Sequence, residues 1–259
     1  MTDYEESRFI DLSGYLIEYY WTRPPKRGET VIVMLHEGLG SLSAWQNFPR
    51  ALSYKTRYPV LVYSRHGYGR SGVIEGSRDK GYMHNEALEI LPALLEELSI
   101  SNPVLLGHSD GASISLIHAG SGRWAVRALI LEAAHVFVEE KTLEGIRVIR
   151  EAYIKGDLKR RLARYHDDPD KSFFGWNDAW LNPDFLSWNI ESYLAKVGCP
   201  VLLLQGENDE YGTIRQITKI TKKVRGPVDA RVIPSCGHSP HRDNPKLVLE
   251  IMSKFIRDL

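Results

Sequence analysis

Cysteine is scarce: Cys199 and Cys236 are the only two among 259 residues. Two thiols without motif spacing exclude a disulfide framework and point to a reducing, cytoplasmic setting. Net charge is lacking too, because 33 Lys and Arg residues balance 33 Asp and Glu residues. Without surplus positive charge, neither a nucleic-acid backbone nor an anionic membrane surface is an expected partner. No apolar run approaches the roughly 20 residues of a membrane-spanning helix. The opening MTDYEESRFI is acidic where a secretion signal would be basic and then apolar. Repeats, low-complexity tracts and Pro/Gly-rich linkers are missing as well. What remains is an ordinary globular composition, 43% hydrophobic and 25% charged, which excludes intrinsic disorder.

What is present is a rhythm. Short runs of Val, Ile and Leu recur: VIVML from Val31, VLVYS from Val60, PVLLG from Pro103, RALILEA from Arg127 and CPVLLLQG from Cys199. Continuous apolar runs suit strands buried on both faces, as in parallel sheets. Between them lie helical patterns such as NEALEILPALLEELSI, where Leu88, Leu91, Leu95 and Leu98 share a face. Alternating strands and helices predict an α/β fold with a doubly wound, mostly parallel sheet. RFIDL, a Ser13-Gly14 turn and YLIEYYW predict an antiparallel hairpin at the sheet edge. Residues 137–196 break the rhythm with aromatics, charges and helical patterns. They are expected to form a small helical lid on a core made of residues 1–136 and 197–259.

Pro103 through Ile114 carries the strongest signal, with Gly107-His108-Ser109-Asp110-Gly111 spelling G-x-S-x-G between a strand and a helix. That placement lifts the Ser109 hydroxyl out of the sheet on a sharp turn, and the helix N-terminus favours a developing negative charge. A serine hydroxyl needs a base, and the base needs an orienting acid. Glu207-Asn208-Asp209-Glu210 follows the strand ending at Gly206, and Ser235-Cys236-Gly237-His238 follows DARVIP. Both loops belong to the carboxyl ends of strands, where side chains converge on a site. Asp209 and His238 are therefore placed to reach Ser109.

On these motifs the whole chain resembles the α/β-hydrolase superfamily, least over residues 137–196. The resemblance implies Ser109 as nucleophile, His238 as general base and Asp209 as the orienting acid, favoured over Glu207 and Glu210. His36-Glu37-Gly38-Leu39-Gly40 is similar to the family's H-G-x-x-G oxyanion loop, which assigns the oxyanion donors to the backbone N–H groups of Gly38 and Asp110. Two departures stand out. Glu37 occupies a position usually held by Gly. The family's D-x-R-G-x-G-x-S turn reads Ser64-Arg65-His66-Gly67-Tyr68-Gly69-Arg70-Ser71, so its ion pair is absent or rebuilt from Arg65 or Arg70.

The remaining signals have plain structural readings. Gly67 through Gly72 matches G-x-G-x-x-G, yet no helical face follows, so a turn is expected rather than a nucleotide site. Pro240 separates His238 from His241, which argues against zinc. His36 and His108 read as hydrogen-bonded core or turn residues, and His166 as a solvated loop residue. Nine lid aromatics mainly fasten the lid, with Trp176 and Trp180 as candidates for lining an apolar pocket. Asp110 caps its helix and Glu37 points outward or pairs with Arg65 or Arg70, unless the two acids bind a cationic substrate group. The S-D-G string, shared with the biphenyl-hydrolase-like branch, implies an ammonium held by Asp110.

The expected function is hydrolysis of a small carboxylic ester or related acyl compound through an acyl-enzyme on Ser109. This chemistry calls for no cofactor and no metal. The alternatives are a carbon–carbon bond hydrolase of ring-cleavage products, using the same residues, or a non-catalytic ligand-binding protein on the same scaffold. The expected partner is a small molecule, with a homodimer left open.

Overall fold

The computed structural model describes residues 7–74 and 76–259. The acidic opening, residues 1–6, lies outside them. Strands β1 (Arg8–Leu12), β2 (Tyr15–Trp21), β3 (Ile32–Leu35), β4 (Val60–Ser64), β5 (Val104–His108), β6 (Ala128–Glu132), β7 (Val201–Gly206) and β8 (Val228–Ile233) form one sheet. Its order is β1-β2-β4-β3-β5-β6-β7-β8. The first two pairings, β1 with β2 and β2 with β4, are antiparallel, and every later pairing is parallel. The hairpin at Ser13-Gly14 therefore supplies the edge, as its sequence implies.

Alternation along the central strands builds two cores. Val33, Leu35, Leu105, Leu129, Leu131 and Leu203 face one side. Their neighbours Ile32, Met34, Val104, Leu106, Ile130, Leu202 and Leu204 face the other. Helices cover both sides, so side chains of either parity must be apolar. The second side takes α1 (Phe48–Thr56) and the last helices, α10 (Pro240–Asp243) and α11 (Pro245–Arg257). The first takes α2 (Tyr82–Asn85), α3 (Leu91–Glu97), α4 (Asp110–Ser121) and α9 (Ile214–Lys223).

The segment between α2 and α3 departs from the predicted helix. Glu86–Ile90 forms a π turn immediately before α3. Pro92, at the start of α3, has no N–H to donate and crowds the preceding turn, which the wider turn accommodates. The inserted residue rotates the buried face onto Met83, Ala87, Ile90, Leu91, Leu94 and Leu95, while Leu88 and Leu98 end up only half-buried. The glycine-rich stretch after β4 is a turn, with Gly67 and Gly69 at φ of 84° and 60°.

Between β6 and β7 lie α5 (Glu140–Lys155), α6 (Leu158–Leu162), α7 (Pro169–Leu181) and α8 (Glu191–Leu194), with a 3-10 turn at Pro183–Ser187. One isolated bridge, Phe137 to Asn189, closes this excursion at its base. Asp168 caps α7 by accepting from the Lys171 N–H at 2.9 Å, and Pro169 begins the helix. Stacked rings fasten the excursion: Tyr153 on Phe173 at 3.8 Å and Phe185 on Trp188 at 5.6 Å between centroids. Among the described residues, no helix is long and apolar enough to cross a membrane.

Candidate active site

Ser109 sits at the turn from β5 into α4 with φ 53° and ψ −115°, a strained conformation for any residue but glycine. The surrounding glycines make the turn sterically feasible. A Cβ on Gly107 would stand 2.3 Å from the Gly111 carbonyl oxygen, and one on Gly111 would stand 2.1 Å from the Leu35 carbonyl oxygen. Only hydrogen fits at either position.

His238 reaches this turn from the loop after β8. Its Nε2 lies 2.9 Å from Ser109 Oγ, and its Nδ1 lies 2.8 Å from Asp209 Oδ1. Asp209 is held by the N–H groups of Tyr211 at 2.8 Å and Gly212 at 3.0 Å, and by the Gln205 amide. Burial opposes charge on Asp209, but the His238 charge, the His238 hydrogen bond and the Tyr211 N–H lower its carboxyl to about 2. An ionised carboxylate only accepts, so Nδ1 of His238 carries the proton and Nε2 is free to accept from the serine hydroxyl. Burial lowers His238 as well, yet Asp209 outweighs it and raises the imidazole above its ordinary 6.5. The rivals of Asp209 hold backbone instead: Glu210 accepts from the His238 N–H and Glu207 from the Ser235 N–H, each at 3.0 Å.

Histidines frame this arrangement. The carbonyl of His238 accepts from His108 Nε2 at 2.8 Å, and the other His108 nitrogen faces Glu37 Oε2 at 3.4 Å. His36 bridges two loops, donating to the Glu37 carbonyl at 2.7 Å and accepting from the Arg65 N–H at 3.0 Å. His241, the second histidine of HSPH, turns away to Glu132 at 2.8 Å. His166 corrects its sequence reading. It is buried rather than solvated, accepting from the Gly69 N–H and reaching the Leu39 carbonyl, each at 3.0 Å. A loop between α6 and α7 is thereby tied to both turns beneath it.

The two acids beside the serine also end elsewhere than expected. Asp110 makes no cap bond; it accepts from the Tyr82 hydroxyl at 2.7 Å and lies 3.5 Å from Arg65. Tyr82 in turn accepts from the Trp180 N–H at 2.9 Å. Glu37 pairs neither with Arg65 nor with Arg70 but with Arg242, at 2.9 Å. Burial would raise Glu37, but Arg242 and then His108 hold it well below the usual carboxylate range. Each acid thus already has a basic partner within the protein, Arg65 for Asp110 and Arg242 for Glu37. The ion pair of the glycine-rich turn is rebuilt with Arg70, one of the two arginines the sequence offers, whose guanidinium lies 3.9 Å from Glu18. Glu18 on β2 accepts from Ser64 Oγ at 2.8 Å and from the Arg70 N–H at 3.1 Å.

A cavity of about 520 Å³ opens over Ser109. Gly38, Asp110, His135 and His238 line its floor, and Ile146, Ile149, Leu162, Trp176 and Trp180 line its roof. Trp176 sits directly over the loop after β3, since a Cβ on Gly38 would fall 2.0 Å from its Nε1. His135 escaped the sequence reading because a lone histidine after a strand carries no motif. Ser113 Oγ donates to its carbonyl at 2.7 Å, and burial followed by the His238 charge lowers its imidazole to about 4.

A strand–turn–helix serine with a histidine and a carboxylate in line, beneath a helical roof, defines the hydrolase class of enzyme. The chain belongs to the alpha/beta hydrolase family, whose sequence profile matches residues 32–251. It is similar to the putative esterase/lipase 2 of Mycoplasma genitalium, 21% identical over 91% of this chain and 92% of that one. It is also similar to the 2-(acetamidomethylene)succinate hydrolase of Mesorhizobium japonicum, 22% identical over 89% and 90% of the two chains. Among solved structures, one from work on carboxylesterases of Nitrososphaera gargenis superposes with a TM-score of 0.77. That match has 20% identity and covers 96% of this chain and 98% of the other.

Proposed function

We propose that the protein hydrolyses a small carboxylic ester through an acyl-enzyme on Ser109. The observation that carries this reading is the continuous chain from Ser109 Oγ through His238 to Asp209, with links of 2.9 and 2.8 Å. Ser109 Oγ attacks the ester carbonyl carbon while His238 Nε2 takes its proton. Negative charge develops on the carbonyl oxygen, and the N–H groups of Gly38 and Asp110 stabilise it by about 3 kcal/mol per donor. His238 then delivers its proton to the departing alkoxide. Water attacks the acyl-enzyme with His238 again as base, the carboxylate leaves, and Ser109 regains its proton.

Residues 137–196 act as the lid in this scheme, because α5, α6 and α7 supply the roof of the cavity. The substrate is a small molecule, and every group named in the mechanism belongs to one chain. The two free thiols, Cys199 and Cys236, suit a cytoplasmic enzyme. A fluorophosphonate probe tests the mechanism directly. Stoichiometric labelling of Ser109, abolished in His238→Asn, is the expected result. An unlabelled, correctly folded protein that still binds ligand would instead be a binder on a hydrolase scaffold.

A further inference from the structure

The polar groups of the cavity divide by whether they already have partners. The acceptors do. Glu37 is met by Arg242 at 2.9 Å, Asp110 accepts from Tyr82 at 2.7 Å, and Glu210 accepts from the His238 N–H at 3.0 Å. The donors do not. Arg164 lines the cavity and makes no side-chain hydrogen bond or ion pair among the described residues. Arg161, three residues earlier, has only Asp157 at 3.7 Å, and Arg160 shares that carboxylate. Deeper inside, Trp176 Nε1 and His135 Nδ1 are buried without partners.

Helix α6 and the turn after it show how this imbalance arises. The stretch from Leu158 to Arg164 reads LKRRLAR, four cations in seven residues. Those facing away from the cavity are matched by acids: Lys159 meets Asp170 at 2.6 Å and Arg160 meets Asp157 at 3.4 Å. Arg164, and Arg161 with its longer 3.7 Å contact to Asp157, are spaced to share one side of the turn and line the cavity. A cavity mouth whose acids already have partners, and which carries the exposed guanidinium groups of Arg161 and Arg164, is complementary to an anion.

We propose that the acyl part of the substrate carries a second carboxylate, which Arg161 and Arg164 bind at the lid end of the cavity. The substrate class is then the half-ester of a dicarboxylic acid. This rests on the ester-hydrolysis reading above and reverses the sequence-based expectation of a cationic substrate. Guanidinium groups present paired N–H donors that match a carboxylate, and a mouth position lets them select charge without perturbing Ser109.

The test compares monomethyl glutarate with methyl 5-amino-5-oxopentanoate, its uncharged carboxamide analogue, on the full chain. Wild type should favour the charged ester at least tenfold in kcat/KM, and added salt should erode that preference. Arg164→Gln and Arg161→Gln should each raise KM for the charged ester, with a loss at least fivefold larger than on the carboxamide. Arg164→Lys should restore part of the preference. A second measurement, calorimetric binding of glutarate to Ser109→Ala, separates this inference from the one beneath it. Arginine-dependent glutarate binding without ester cleavage would overturn ester hydrolysis and uphold the anion site. Ester cleavage with no charge preference, or with equal losses on both esters in the arginine variants, would overturn the anion site alone.

Discussion

Two histidine–carboxylate pairs lie side by side at the carboxyl edge of the sheet, and only one touches a nucleophile. His238 binds Asp209 and His241 binds Glu132, both at 2.8 Å. The His108 ring stands between them, with centroids 5.2 Å from His238 and 5.1 Å from His241. The difference lies at the far nitrogen. His238 Nε2 meets Ser109 Oγ under the open cavity. His241 is packed by Trp45 at 4.6 Å and Phe48 at 5.6 Å, and its Nε2 is buried without a partner. A carboxylate fixes the tautomer of an imidazole; what its second nitrogen meets decides whether proton transfer follows.

Exchanging the fates of the two pairs produces the largest expected contrast. Ser109→Ala or His238→Asn should lower kcat on an acetate ester by about 10⁴ to 10⁶, with the far-ultraviolet circular dichroism unchanged. His241→Asn should keep kcat within about tenfold of wild type. Equal losses at the two histidines would break the distinction. Asp209→Asn should cost about 10⁴ in kcat, because an amide no longer holds the proton on Nδ1.

The same substitution sharpens the comparison through pH. Only neutral His238 can act as base, so kcat/KM should climb as pH rises through its folded value. Asp209 raises that value above the ordinary 6.5, so the limb should lie on the alkaline side of it. In Asp209→Asn only Glu210 and Glu37 still oppose burial, and the residual activity should show a limb displaced to lower pH. A pH profile unmoved by the substitution would detach Asp209 from His238.

The structural pair should respond in stability instead. Glu132 is fully buried, and His241→Ala leaves its carboxylate without that hydrogen-bond donor, which should cost about 1 to 3 kcal/mol in urea unfolding. Replacing both members by apolar residues of similar volume should recover much of that loss. A stability change near zero in His241→Ala would mean that Glu132 finds another partner.

How much of this the sequence disclosed depends on distance along the chain. The central strands were legible because burial on both faces leaves a continuous apolar run, and Ser109, Asp209 and His238 because each lies on the turn or loop that follows a strand. Long-range pairings left no such trace. Glu37 meets Arg242 205 positions later, and Glu18 replaces the turn's expected aspartate from a different strand. Hydrophobic periodicity records what surrounds a residue; it does not record which distant charge arrives. His166 was misread for the same reason, since a polar neighbourhood in sequence, Tyr165-His166-Asp167-Asp168, surrounds a side chain that the fold buries. The helical run over residues 85–100 was legible as a helix, but the π turn before Pro92 shifts its buried face by one residue.

The smallest expected effect concerns the cavity that opens over His238 and not over His241. Trp176 and Trp180 both line it, but they are anchored differently. Trp180 donates to Tyr82 at 2.9 Å and packs on Phe185 at 4.6 Å, so much of its surface serves the lid. Trp176 lies over Gly38 with its N–H unpartnered, closer to the reacting carbonyl in the proposed mechanism. Trp176→Ala should therefore alter the acetate-to-hexanoate ratio of kcat/KM by about 1 to 3 kcal/mol, the discrimination a hydrophobic pocket provides for a methylene-sized change. Trp180→Ala should alter that ratio less and lower the unfolding temperature more, since it empties a packed position and removes a donor from Tyr82. Trp176→Phe, which keeps most of the ring volume, should fall between Trp176→Ala and wild type. An unchanged chain-length profile in all three folded variants would assign both rings to holding the lid, and acyl selection would then rest on α5 and α6.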